Sequence, residues 1–173
     1  MGQSTFSGPV KSLAGFISAG VSNSVTTAVG KTLTVANDAG KQIYYTSVAT
    51  ATFTLPAVNT SSPSDPTDPN QANNYGATYN FVLSTTVTGS FIVKVANASD
   101  TIVGTAIIGE GTTSMAVFST ATASDTITLN GTTTGGVGGA SVKATVVGAN
   151  RYKVEVVSGA TGALATPFSA TVS

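Results

Sequence analysis

Unbroken alternation of polar and apolar side chains is the feature that most constrains this chain. Thr50-Ala51-Thr52-Phe53-Thr54-Leu55 alternates throughout, as do Thr126-Ile127-Thr128-Leu129 and Arg151-Tyr152-Lys153-Val154-Glu155-Val156. Phe91, Val93 and Val95 share one face while Lys94 turns away. A repeat of two sends successive side chains to opposite faces of a strand, so each run predicts a strand with one packed side and one wet side. The abundant Thr and Val fit that geometry, because both are stiff at χ1 and pack well on a pleated surface. Helical signals are nearly absent. Between Leu13 and Val29 the scattered apolar residues are interrupted by Gly15, Gly20 and β-branched side chains, which leaves room for a turn or two at most.

Turn chemistry separates the runs. Gly148-Ala149-Asn150 predicts a three-residue hairpin loop between strands at 142–147 and 151–157. Asn130-Gly131 is a strong turn signal, and Gly135-Gly136-Val137-Gly138-Gly139 predicts a loose loop before the next strand. Roughly eight to ten strands at short intervals predict an all-β fold, a single antiparallel β-sandwich or small barrel. Two stretches depart from the pattern. Residues 59–74 hold three of the six prolines and almost nothing apolar, which predicts a long exposed insertion. Residues 1–20 read as an extended N-terminal arm, with Phe6, Pro9 and Val10 as apolar anchors, ahead of a sandwich domain at 21–173. No internal repeat of fixed period points to a solenoid.

Composition then excludes much of ordinary chemistry. The chain has no His, Cys or Trp, and seven Lys/Arg balance seven Asp/Glu for a net charge of zero. Charged residues make up 8% of the sequence, against about 25% in an average domain. Without cysteine there is no disulfide framework and no thiolate metal site. The cations are spread from Lys11 to Lys153, and only Arg151 and Lys153 lie close together, with Glu155 next on the same face. That pattern offers no dense cationic patch for phosphates, so nucleic acid is not an expected partner. No apolar run approaches the roughly 20 residues that span a bilayer, so no membrane role is expected. The opening Met1-Gly-Gln-Ser-Thr-Phe lacks the pattern of a Sec-type signal, and Phe6 stands where a myristoylation motif wants Ser or Thr.

Candidate sites read mostly as structure. Asp65 and Asp68, with Ser64, Thr67 and Asn70, supply oxygen ligands of the kind Ca²⁺ takes, but lack the Gly and closing Glu of an EF-hand loop. Asp38, Asp100, Glu110 and Asp125 stand alone beside Gly, Ser or Asn and read as turn residues rather than a catalytic pair. A serine nucleophile would need a base, and with no His and no Ser-x-x-Lys spacing none is evident. The glycines at 135–139 lack the Lys-Ser/Thr ending of a phosphate loop. Tyr44-Tyr45 and the Tyr75/Tyr79 pair fit a stacking platform for a sugar, though alternation within apolar strands favours core or interface packing. Asn59, Asn97 and Asn130 match the glycosylation sequon, which matters only on a eukaryotic secretory route. No cofactor is implied.

Several segments resemble small virion proteins of marine and cyanobacterial tailed phages. The opening Ser4-Thr-Phe-Ser-Gly-Pro-Val-Lys-Ser, followed by Gly15-Phe16, is similar to their N-termini. The progression Phe53-Thr-Leu-Pro56, Tyr79-Asn-Phe-Val82, Asp125-Thr-Ile-Thr-Leu129 and Arg151-Tyr-Lys-Val154 is similar to their order of strands, with Tyr152 where Trp is frequent. The resemblance implies a capsid decoration, or cement, protein. Such a protein is expected on the capsid surface of the virion after assembly in the host cytoplasm, commonly as a homotrimer, with the major capsid protein as partner. Phe6, Ser7, Gly8, Pro9, Val10, Lys11 and Phe16 would then form the capsid-contact arm, and Asp65, Asp68, Asn70 and Tyr75 would mark the exposed loop. Three weak arms on one trimer would add avidity.

Two other readings compete with that one. A head-fibre or tail-fibre module would touch a host glycan through the 59–74 loop or through Tyr75 and Tyr79. An enzyme, such as a glycan hydrolase using Asp65, Asp68 or Glu110, would need a convergent acidic cleft. The sequence favours the structural, non-enzymatic reading.

Overall fold

The computed structural model describes residues 24–59, 73–111 and 114–172. The chain opens with β1 (Ser24–Thr27), one helical turn α1 (Val35–Asp38), β2 (Gln42–Tyr45), β3 (Ala51–Thr54) and β4 (Thr78–Leu83). It continues through β5 (Phe91–Lys94), β6 (Thr101–Glu110), β7 (Ser114–Ser119) and β8 (Thr126–Leu129). It closes with β9 (Ser141–Gly148), β10 (Arg151–Ala160) and β11 (Phe168–Ser169). A seven-stranded sheet runs β1-β2-β4-β9-β10-β6-β7, and a four-stranded sheet runs β11-β8-β5-β3. The all-β expectation holds, and the arrangement is two sheets rather than a closed barrel.

The sheets are mixed, which corrects the antiparallel reading. β1 and β2, β2 and β4, β6 and β10, and β3 and β5 pair in parallel. The reason lies in the path of the chain. A hairpin returns a strand beside its predecessor in one sheet and makes an antiparallel pair, as in β6–β7 and β9–β10. From β2 to β5 the chain instead alternates between the two sheets, so every second strand re-enters its sheet in the same direction. Period-two patterning is the same for both directions and carries no trace of that choice.

The alternation does decide which side chains are inside. Phe53 and Leu55, Phe91, Val93 and Val95, and Tyr152, Val154 and Val156 are all buried. Tyr45 and Phe81 from the larger sheet meet Phe53 and Phe91 from the smaller one. Phe53 lies 5.2 Å from Phe91 and 5.4 Å from Phe81 between ring centroids, and Tyr45 lies 5.4 Å from Phe91. Tilted and edge-on rings at these separations are each worth about 0.5–1.5 kcal/mol beyond their buried area, so this cluster fastens the two layers together.

Turns follow the sequence with two refinements. The β9–β10 hairpin turns at Ala149-Asn150, with Asn150 at φ 55° and a register shift just after Arg151. The glycine-rich loop is tightly held rather than loose. Asn130 Oδ1 accepts from the backbone amides of Thr132, Thr133 and Thr134 at 2.8–3.0 Å, and Gly131 at φ 76° packs so closely that a Cβ would meet the Val87 carbonyl oxygen.

Candidate interaction surface

Three of the four lone acids have structural work that burial makes clear. Asp38 is buried, accepts from the Thr34 amide and pairs with Lys31 Nζ, which ties α1 to the chain before it. Asp100 accepts from the Val58 amide at 3.1 Å and from Asn97 Nδ2 at 2.9 Å, joining segments 42 residues apart. Asp125 accepts from the amides of Thr171 and Val172 and from the Thr126 hydroxyl, which pins the end of the described chain. The turn reading misses that Asp38 ends α1, and it misses the burial of all three; the partners of Asp100 and Asp125 that lie 42 to 47 positions away leave no local mark. Glu110 sits at the end of β6 beside Ser114. Among the described residues, no group of three or more His, Cys, Asp or Glu is placed to hold a metal ion.

The tyrosines divide. Tyr45, Tyr79 and Tyr152 are core residues, whereas Tyr44 and Tyr75 face outward. The Tyr75/Tyr79 pair is therefore no platform: Tyr79 is fully buried and Tyr75 is 63% exposed on the loop before β4. Phe6, Ser7, Gly8, Pro9, Val10, Lys11 and Phe16, together with Asp65, Asp68 and Asn70, lie outside the described residues.

Among the described residues, the larger of the two sheets presents a broad outer face. Its strand registers bring Ser24, Gln42, Asn80 and Lys143 side by side on four neighbouring strands. The same row continues through Glu155, Thr105 and Ser119 to the far edge. Seven strands thus contribute one polar side chain each, at steps of about 4.8 Å. The next row starts with Thr26, Tyr44, Val82 and Ser141 and ends on Val157, Ile107 and Val117. It changes from mixed to wholly apolar as it nears β7.

The charged side chains of this face stand on β9 and β10: Lys143, Arg151, Lys153 and Glu155. Lys153 Nζ lies 2.8 Å from Glu155 Oε1, and Lys143 Nζ lies 4.0 Å from Oε2. The hydrogen bond from Lys153, then the positive charges of Lys153 and Lys143, hold the Glu155 carboxyl below its usual range. A shallow groove of about 330 Å³ crosses both rows, lined by Gln42, Asn80, Ser141, Lys143, Glu155 and Val157. The sequence showed Arg151, Lys153 and Glu155 on one face; the rest of the surface draws on strands whose neighbours only the fold determines.

Comparison with protein-family models, curated proteins and solved structures finds no match.

Proposed function

We propose that the protein works by binding rather than catalysis, as a decoration protein on the outer surface of a phage head, where it bridges and stabilises shell subunits. The observation that carries this reading is the outer face of the seven-stranded sheet: a polar row across its full width, charges on β9 and β10, and an uncharged apolar margin near β7. A face of this kind suits broad, wet contact with a protein lattice, because polar rows satisfy hydrogen bonds and a limited apolar margin adds affinity. Of the segments that resemble phage virion proteins, the opening one lies outside the described residues, and the later ones fall largely on strands. Phe53 and Thr54 close β3, Tyr79–Val82 lie in β4, Thr126–Leu129 form β8 and Arg151–Val154 open β10.

On this reading the major capsid protein is the partner, residues 1–20 form a second contact, and the protein resides on the virion. Quantitative mass spectrometry of purified particles, referred to the major capsid protein, tests it. A copy number comparable with the shell subunits is expected. A handful of copies would move the protein to a head-fibre or tail-fibre position, where the groove beside Tyr44 would face a glycan, and absence from particles would end the reading. Deleting residues 1–12 is expected to leave a folded protein that no longer decorates heads.

A further inference from the structure

β7 is the last strand of the seven-stranded sheet, and no strand among the described residues pairs with its outer side. Alternate residues of such a strand turn their N–H and C=O groups away from the sheet, a template for another strand. Natural edges are usually guarded by Lys, Pro, a bulge or short length. β7 has none of these: Ser114-Met-Ala-Val-Phe-Ser119 is uncharged, free of proline and in unbroken register with β6. The other edges are better covered or shorter. β3 is flanked by the Thr32–Thr54 bridge, β1 has four residues and β11 has two.

The side chains repeat the message of the backbone. Val157, Ile107 and Val117 stand in one row on the outer face of β10, β6 and β7, at 57%, 41% and 61% exposure. Met115, two residues before Val117 on the same face, is 71% exposed. On the inner face of β7, Phe118 is only half-buried against the core. Among the described residues, an apolar stripe therefore runs to an unpaired strand edge and stops there.

We propose that a second copy of this chain covers that edge, with the two β7 strands antiparallel and centred on Val117. Charge selects this occupant. A partner bearing a dense charge of either sign would find nothing complementary on β7 or along the stripe, whereas a second copy supplies an edge and a stripe equally free of charge. The chain's net charge of zero adds no overall repulsion between copies. Register selects the centre. Directly opposed residues of an antiparallel pair point to the same side, so a two-fold axis through Val117 sets Val117 against its copy, Met115 against Ser119 and Ala116 against Phe118. The row Val157–Ile107–Val117 then continues without interruption into Val117, Ile107 and Val157 of the second copy. Glu110 pairs with Ser114 at one end of β7, so the two copies of Glu110 fall at opposite ends of the contact.

A six-residue strand is about 20 Å long, and one strand edge with its flanking stripe covers less than a standard stable interface. The contact is accordingly weak in dilute solution and strengthens wherever copies are concentrated. The proposal stands on the edge and stripe alone and does not depend on the decoration role.

The absence of cysteine makes the test clean. Paired Cα atoms across an antiparallel ladder lie about 4.5 or 5.5 Å apart, within disulfide reach. Full-length protein carrying Val117→Cys is expected to form a covalent dimer under mild oxidation. Val29→Cys, at a position 69% exposed away from β7, is expected to form none above the level of random collision. In sedimentation velocity over a wide concentration range, the unmodified chain should show a monomer–dimer equilibrium. Val117→Lys sets two like charges face to face and should weaken dimerisation by about tenfold or more, with an unchanged circular dichroism spectrum. Monomer at every concentration without selective crosslinking at 117 would overturn the proposal. So would a dimer or trimer indifferent to Val117→Lys. Should that variant misfold, the crosslinking pair decides alone.

Discussion

Tyr79 and Tyr152 lie side by side in the core, ring centroids 6.4 Å apart, yet among the described residues only one of the two hydroxyls has a partner. Tyr152 donates to the Pro56 carbonyl oxygen at 2.7 Å and so ties β10 to the chain that leaves β3. The buried Tyr79 hydroxyl has no hydrogen-bond partner among the described residues. Two identical substitutions should therefore behave differently. Tyr152→Phe removes a bond and strands a carbonyl, at an expected cost of about 1–2 kcal/mol. Tyr79→Phe removes only an unsatisfied polar atom and is expected to leave stability unchanged or raise it by up to about 1 kcal/mol. Urea unfolding midpoints compared at neutral pH check this, and equal losses would contradict it.

The same pair predicts the response to alkali. Burial, with the charge of Asp38 adding to it, pushes the Tyr79 phenol from 10.0 up to about 12. Burial raises Tyr152 further, with smaller contributions from Tyr79 and Asp100. A folded-state value above the unfolded one means that the folded chain holds its proton longer. The stability linked to these two protons is thus fully present below pH 10 and is lost as pH rises from there toward 12 and beyond. Melting temperature should hold steady up to the ordinary tyrosine range and then fall steeply. Tyr79→Phe should reduce the steepness of that fall; an identical alkaline limb in the variant would show that Tyr79 does not contribute.

Local chemistry made the strands and most turns legible, because alternation, β-branched side chains and Asn-Gly pairs act over a few residues. Phe91, Val93 and Val95 went inside and Lys94 outside, as their spacing required. Strand direction was not legible, since the parallel pairing of β2 with β4 depends on a detour through the other sheet. The polar row from Ser24 to Ser119 was equally hidden, its members being distant in sequence and adjacent only through register. The buried acids show the same limit from the energetic side. Asp125 looks like any turn residue until Thr171 and Val172 arrive to bond it.

That clasp gives the third prediction. Asp125 receives two backbone amides from the C-terminal segment, while Thr126 bonds both its carboxylate and the Thr171 hydroxyl. Asp125→Ala is expected to cost about 2–4 kcal/mol, because charge-assisted bonds are lost and their donors are left behind. Hydrogen exchange should accelerate first at Thr171, Val172 and β11, with the β9–β10 hairpin least affected. Uniform acceleration across the sandwich would mean that the clasp is not local.

Gly104 supplies a steric test of the β6–β10 pairing. A Cβ built there would stand 1.8 Å from the Val154 carbonyl oxygen, so the two backbones occupy the space any other residue needs. Gly104→Ala is expected to cost about 3 kcal/mol or more, or to prevent folding. Gly109 on the same strand is the control: its nearest atom would be 4.0 Å away, and Gly109→Ala should shift stability by no more than about 1 kcal/mol. Thermal unfolding of the pair separates steric conflict from the general effect of adding a methyl group.

The last prediction concerns the neck from which residues 60–72 depart. Asn59 donates its amide to Asn74 Oδ1, the Asn74 amide donates to the Asn59 carbonyl, and Asn74 Nδ2 donates to the Ala57 carbonyl, all at 2.8 Å. Asn74 is buried, so the chain is closed at the base by bonds that do not involve the segment beyond it. Replacing residues 60–72 with a short Gly/Ser link should therefore leave the melting temperature nearly unchanged, since halving a loop alters its closure entropy by only about 0.6 kcal/mol. Asn74→Ala, which opens the neck without shortening the chain, should cost about 1–3 kcal/mol. If the replacement destabilises the fold more than the point substitution, residues 60–72 carry contacts essential to the sandwich. If both behave as expected and the shortened protein still binds capsids, the insertion is separable from both folding and assembly.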